Sequence, residues 1–366
     1  MTPPAEPLPV HRRRALRIRD QGELVAAIPA VLGFHPRESL VLMATVGGTL
    51  PGATGPSGRR LGLTLRADLP PPEHPDYPEH AELVVASAVR GLLLDEPVAA
   101  IAVVVSESGH PPGAPPHPAV ATAVASAFDA RGVPLQASMW AERTTGGARW
   151  ACYDPCGCAG VVPDPAATPF LATVVAHGRV VHADREALGA LVAPADPDVL
   201  RRRERRLVRA VDGVLDTVDL AAGGGGDVPD PAVLDPGAGV RAVDAAIADA
   251  AAGRLALADD RVVALALALG VDEVRAAALR RCAGPHAAAA EQLWAALARE
   301  TPDPEAAVPA TLLAVSALLR GDGALANVAL DRAEAAWPGH AFAGVVRRAV
   351  GLHPSAVREM VTGGGR

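Results

Sequence analysis

The hydrophobic pattern changes character once along this chain, at the run Gly223-Gly-Gly-Gly226, and that change dictates two architectures in one polypeptide. Ahead of the glycines, short strand-like apolar runs alternate with segments of helical spacing. Behind them, every periodic segment is alanine- and leucine-rich with helical spacing. Alternating strands and helices build a sheet covered by helices, whereas consecutive amphipathic helices with short breaks build antiparallel helical hairpins. The expected fold is therefore an α/β N-terminal domain, a mixed sheet covered by helices, followed by an all-α, helical-hairpin C-terminal domain.

The expected boundaries are a disordered Pro-rich and basic tail over residues 1–13, an α/β domain over 14–193, a charged helix and Gly/Pro-rich linker over 194–238, and a helical domain over 239–361. In the first domain, Ala15–Arg19 alternates like a short strand. Asp20 is placed to cap a helix over Gly22–Leu32 that Gly33 stops. Ser39–Val46 and Leu61–Asp68 read as a strand hairpin, Glu79–Leu94 and Ala119–Arg131 as helices, Val98–Val105 as a buried strand and Pro134–Trp140 as a further strand. Arg149–Tyr153 closes the sheet as its last strand through Gly146-Gly147, and Asp184–Leu191 forms a capped helix.

Asp196–Leu220 reads as one charged helix and 221–239 as linker. Helices are expected at Leu255–Leu269, Ala287–Arg299, Ala307–Arg320, Ala324–Ala336 and His340–Val350. The segment Leu312–Pro338, with small residues at Ala326, Ala329 and Ala333, has the pattern of a single tetratricopeptide-like hairpin.

Composition removes several functions. All 34 basic residues are arginine. Without lysine there is no P-loop, kinase, Schiff-base or pyridoxal-phosphate lysine. A net charge of −7 argues against general nucleic-acid binding. The basic run Arg201–Arg206 is expected on an exposed helix face. No segment reaches the roughly 18 apolar residues of a membrane span, and no signal-peptide core opens the chain, so a cytoplasmic setting with reduced cysteines is expected.

Two places concentrate chemistry. Cys152, Cys156 and Cys158 are three of only four cysteines, and they sit with Trp140, Trp150 and Tyr153 in one stretch. Thiolates at this spacing are candidate zinc ligands, with Pro155 and Gly157 permitting a tight turn. The set is one ligand short of the usual four, with Cys282, His177 and His182 as remoter donors. The alternatives are a reactive thiol or a structural turn.

The second place is Gly33-Phe-His-Pro-Arg-Glu-Ser39, between a predicted helix and a predicted strand. His35 is a candidate general base, Ser39 a candidate nucleophile or substrate ligand, and Asp68 a third member at a strand end. No Gly-x-Ser-x-Gly elbow accompanies them. The bland alternative is a helix stop with Phe34 in the core. The acidic and histidine-rich stretch Glu73–His80 reads as a solvated loop and helix start.

These motifs carry a resemblance. Leu24-x-x-x-Ile-Pro-Ala-Val-Leu-Gly-Phe-His-Pro-Arg-Glu-Ser-Leu-Val41, followed by Ala67-Asp-Leu-Pro70, the Trp150–Cys158 segment, Gly178–Val181 with Arg185–Leu188, and Thr311–Ala314 with Gly321-Asp-Gly323, resembles an uncharacterised actinobacterial family, the domain of unknown function 4192. In that family pattern the late cysteines are adjacent and followed by proline. Here Gly157 separates them and Ala159 follows. The resemblance implies a lineage and no mechanism.

The readings that remain are a ligand- or partner-binding regulatory protein, with a small molecule or another protein as its partner, a hydrolase using His35 with Ser39 or Asp68, and a zinc-binding structural loop at Cys152, Cys156 and Cys158.

Overall fold

The computed structural model describes residues 20–48, 58–107, 115–168, 180–222 and 235–352, with Val357 and Val361. The expected tail over 1–13 and the strand over Ala15–Arg19 lie outside these residues. The chain divides into two compact units, Met1–Val31 with Pro36–Val180, and Leu32–His35 with Val181–Arg366.

The first unit opens with α1 (Gln21–Leu32), whose start is fixed by Asp20: its Oδ1 accepts the Glu23 N–H at 2.8 Å. Gly33 follows at φ +83°, a left-handed stop that favours glycine. Strands β1 (Ser39–Gly48) and β2 (Gly58–Asp68) form the expected antiparallel hairpin, with Ser39 opposite Asp68. After α2 (Tyr77–Leu93), β3 (Ala99–Val105) pairs antiparallel to β1. Helix α3 (Pro118–Asp129) then makes the crossover to β4 (Leu135–Ala141), which lies parallel to β3. β5 (Arg149–Cys152) returns antiparallel to β4.

The sheet does not end there as the sequence suggested. β6 (Ala159–Val161) adds an outer strand, giving the order β2-β1-β3-β4-β5-β6. Three residues, one of them Gly160, carry no alternation long enough to announce a strand.

Every residue of β3 is buried, which explains its unbroken apolar run Ala-Ala-Ile-Ala-Val-Val-Val. One face packs Leu40, Leu42, Ala102 and Val104 under Val85, Val89 and Leu92 of α2 and Val124 and Phe128 of α3. At about 1.5–3 kcal/mol for each large side chain buried, this layer is the main stabilising term of the unit.

The second unit is helical after the bridge between Phe34 and His182. It comprises α4 (Arg185–Gly189), α5 (Pro197–Ala222), α6 (Pro236–Ala251), α7 (Asp259–Gly270), α8 (Asp272–Arg281), α9 (Ala287–Glu300), α10 (Ala307–Arg320), α11 (Gly323–Ala336) and α12 (Ala341–Leu352).

Helix α10 is central. Ala307 through Ala317 are all buried, and it packs against α9, α11 and α12. The α10–α11 hairpin turns at Gly321, φ +82°, and Asp322 caps α11 by accepting the Leu325 N–H at 3.0 Å. The expected linker ends early: the chain is helical from Pro236 onward, because Asp235 caps α6 through the Gly237 and Ala238 N–H groups. Helix α8 was not expected, and α7 begins at Asp259 rather than Leu255.

Arginine 203 also departs from expectation. It is 5% exposed rather than on an open face. Its guanidinium donates to Asp259 Oδ1 at 3.0 Å, to the Glu300 carbonyl at 2.8 Å and to the Leu257 carbonyl at 2.9 Å, and it pairs with the Glu300 carboxylate. No helix among the described residues is long and apolar enough to cross a membrane.

Candidate functional site

The cysteine segment is the turn between β5 and β6. Beyond the ladder pair Ala151 and Ala159, the Cys152 N–H donates to the Cys158 carbonyl at 2.8 Å, so these two cysteines face each other across the strands. Tyr153 anchors the same point to β4 through its N–H to Ser138 O at 2.9 Å. Gly157, at φ +66°, reverses the chain, and the Cys158 N–H then donates to Cys156 Sγ at 3.3 Å.

The result is that the three sulfur atoms lie within 4.8 Å of one another, with Cys156 exposed and its two partners part-buried. Around a zinc ion with Zn–S bonds of about 2.3 Å, tetrahedral sulfurs would stand about 3.8 Å apart, a spacing compatible with this approach. The donor set therefore fits a thiophilic ion. Burial pushes the Cys152 thiol up to about 12, and hydrogen bonding by Cys158 lowers that of Cys156. The nearby Asp154 carboxylate raises both.

Cys282 belongs to the second unit, where it is buried with its thiol toward the Ala278 and Leu312 carbonyls at 3.6 Å. His182 is likewise in the second unit, and His177 lies outside the described residues.

Behind the turn runs a polar chain that sequence reasoning missed. Tyr77 Oη and His117 Nδ1 are 2.5 Å apart, His117 Nε2 and Ser106 Oγ 3.1 Å, and Ser106 Oγ and Glu38 Oε2 2.8 Å. The other Glu38 oxygen accepts the Glu107 N–H at 2.8 Å. The single Ser106 proton goes to the carboxylate, which can only accept. His117 must therefore donate from Nε2 and accept the Tyr77 hydroxyl at Nδ1. Burial lowers the His117 pKa against the opposing pull of Glu38, which agrees with a neutral ring.

Both Glu38 and His117 have positive φ, 39° and 58°, a backbone state that non-glycine residues hold only where surrounding contacts enforce it. Ser106 is fully buried, and its proton is committed to Glu38. The chain thus clamps the loop before β1, the end of β3 and the starts of α2 and α3 into one frame. Trp140 Nε1 adds a bond to the Ser106 carbonyl at 3.0 Å, and Tyr153 Oη one to the Pro116 carbonyl at 2.6 Å. The signal available in sequence was small: Tyr77 and His117 each precede a proline at a helix start, Pro78 and Pro118.

Ser39 and Asp68 come together, through Arg66. Arg66 Nε donates to Ser39 Oγ at 2.8 Å, and Nη2 pairs with Asp68 Oδ1 at 2.5 Å. Ser39 is fully buried and donates its own proton to the Arg37 carbonyl at 2.5 Å. His35 belongs to the second unit, where its N–H bonds the His182 carbonyl at 3.2 Å.

No curated protein and no solved structure matches the chain. The opening motif around Ser39, the thiol turn and the α10–α11 hairpin all fall within the region matched by one family model, residues 22–355, and the chain belongs to that family, the domain of unknown function DUF4192.

Proposed function

We propose that the protein is a binding protein and that its first unit takes one thiophilic divalent cation of the zinc class on Cys152, Cys156 and Cys158. The supporting observation is the approach of three sulfur atoms to within 4.8 Å on a turn anchored at both strand ends. Three protein ligands would leave one position of a tetrahedral ion open, on a turn where Cys156 is exposed. Water, or a donor atom of a small molecule or protein partner, fills it, so the ion is the means of capture.

A cytoplasmic setting belongs to the same reading, because thiols stay reduced there. The hydrolase reading draws less support, since the hydroxyl proton of Ser39 is engaged by the Arg37 carbonyl.

The test is elemental analysis of the full chain, purified without a metal-affinity tag and equilibrated with zinc. About one zinc per chain is expected, lost in Cys156→Ser and kept in Cys282→Ala. Cobalt in place of zinc should give a thiolate charge-transfer band that the Cys156→Ser protein lacks. Wild-type protein that holds no zinc while all its thiols titrate as reduced overturns the proposal.

A further inference from the structure

A cavity of about 700 Å³ opens between α5, α6 and α7 of the second unit, well within the size of small-molecule sites. Its origin is the small side chains where these helices face one another: Ala210 on α5, Ala238, Gly239 and Ala242 on α6, and Ala264 on α7. Gly239 is required for a separate reason. A Cβ there would stand 2.7 Å from Val274 Cγ2, so the glycine lets α6 seat against α8. Val263 and Leu267 supply the apolar floor.

The rim carries charge. Among the described residues, Arg206 and Arg209, one turn apart on α5, face Asp260 on α7. Arg206 is engaged by Asp260 and, at 3.8 Å, by Asp259. Arg209 is exposed, and its bond is from Nε to the Arg205 carbonyl at 3.0 Å, which leaves the two terminal nitrogens for a ligand. A guanidinium fork binds a carboxylate through two parallel N–H···O bonds.

We propose that this groove binds a monoanionic amphiphile, a carboxylate on an aliphatic chain, with the head on Arg209 and the chain along Val263 and Leu267. A single carboxylate matches the one guanidinium fork that Arg209 offers, and an aliphatic chain matches the alanine-lined walls. The site is independent of the thiol turn.

The probe is dodecanoate, titrated calorimetrically into the full chain below its micelle concentration, beside 1-dodecanol. Saturable dodecanoate binding is expected. Arg209→Glu should weaken it by about tenfold or more, because the fork is lost and a like charge added, while leaving 1-dodecanol binding unchanged. Ala264→Trp should abolish binding of both at an unchanged melting temperature, since Ala264 is an exposed residue and the indole only fills the groove. Absence of saturable dodecanoate binding overturns the proposal, as does binding that survives Arg209→Glu undiminished.

Discussion

Arg203 of α5 is the residue whose removal should cost the second unit most for the least change in volume. Its side chain is 6% exposed and makes contacts of two kinds. Two are to backbone carbonyls, Leu257 and Glu300, at 2.9 and 2.8 Å, and two are to the carboxylates of Asp259 and Glu300. Arg203→Met keeps most of the stem and deletes every donor. Losing a neutral bond costs about 1 kcal/mol and losing a charged one about 1.5–3 kcal/mol. Against this stands the desolvation that a buried guanidinium no longer requires. Glu300 is also part-exposed and can rehydrate, and Asp259 keeps Arg202 as a partner. The net expectation is a loss of about 3–5 kcal/mol, the range for breaking one side of a buried pair.

The control is Arg202→Met. Arg202 pairs with the same Asp259, yet its side chain is 46% exposed, so the loss should stay under about 1 kcal/mol. Arg203→Lys should recover little, because one ammonium cannot span four acceptors. Denaturant unfolding followed by far-ultraviolet circular dichroism measures all three, helical signal reporting chiefly on the second unit.

The acid limb gives a second reading of the same site. Hydrogen bonding by Arg202, with Arg203 adding to it, holds the Asp259 carboxyl down to about 2 from 3.8. A depressed carboxylate contributes stability that is present above 3.8 and lost as the pH falls toward 2, since the unfolded chain then binds the extra proton. Arg203→Met should shrink that loss. An Arg203→Met protein within about 1 kcal/mol of wild type, or indistinguishable from Arg202→Met, refutes the reasoning.

Two further outcomes follow from the first unit. His117 is held below its ordinary pKa of 6.5, mainly by burial. The unfolded chain therefore takes up a proton as the pH falls below 6.5 while the folded chain resists, and stability falls with pH through that window. Thermal melts from pH 7 to 5 should show the drop in wild type and a smaller one in His117→Gln, and equal slopes would count against the polar chain as drawn. Gly160→Ala places a Cβ about 3.0 Å from the Trp150 indole, so the indole or β6 must give by a few tenths of an ångström, at an expected cost of about 1–3 kcal/mol in a melt followed by tryptophan emission. An unshifted melt would mean that the indole does not lie over Gly160.

The strands and helices that were legible are those with a sustained apolar pattern. β1 carries an unbroken apolar run and β2 alternates, while α9 to α12 are rich in alanine and other aliphatic residues at helical length. What escaped was masked by composition. Helix α6 begins Asp235-Pro-Gly-Ala-Gly239, which looks like linker until Asp235 and Pro236 are recognised as a cap and a first helical residue. Arg203 stands among four other arginines, but it shares the spacing of Leu207 and Ala210, at i+4 and i+7, and so lies on the inward stripe. The polar chain is different in kind: its links span 40, 11 and 68 residues, and no local spacing encodes a contact of that length.

That difference bears on the thiol turn. The spacing of Cys152, Cys156 and Cys158 names candidate ligands but cannot say whether the sulfurs point to one place. The fold decides it with contacts remote in sequence. Tyr153 is held by its N–H to Ser138 and its hydroxyl to Pro116, and Trp150 lies against Gly160 across the next ladder pair. The Pro116 carbonyl is itself fixed one residue from His117, inside the buried chain. A turn anchored in this way has already lost the conformational freedom that an unanchored metal loop must surrender on binding. The distant frame of Glu38, Ser106, His117 and Tyr77 therefore acts on the proposed metal site as its support, although none of its side chains is a ligand.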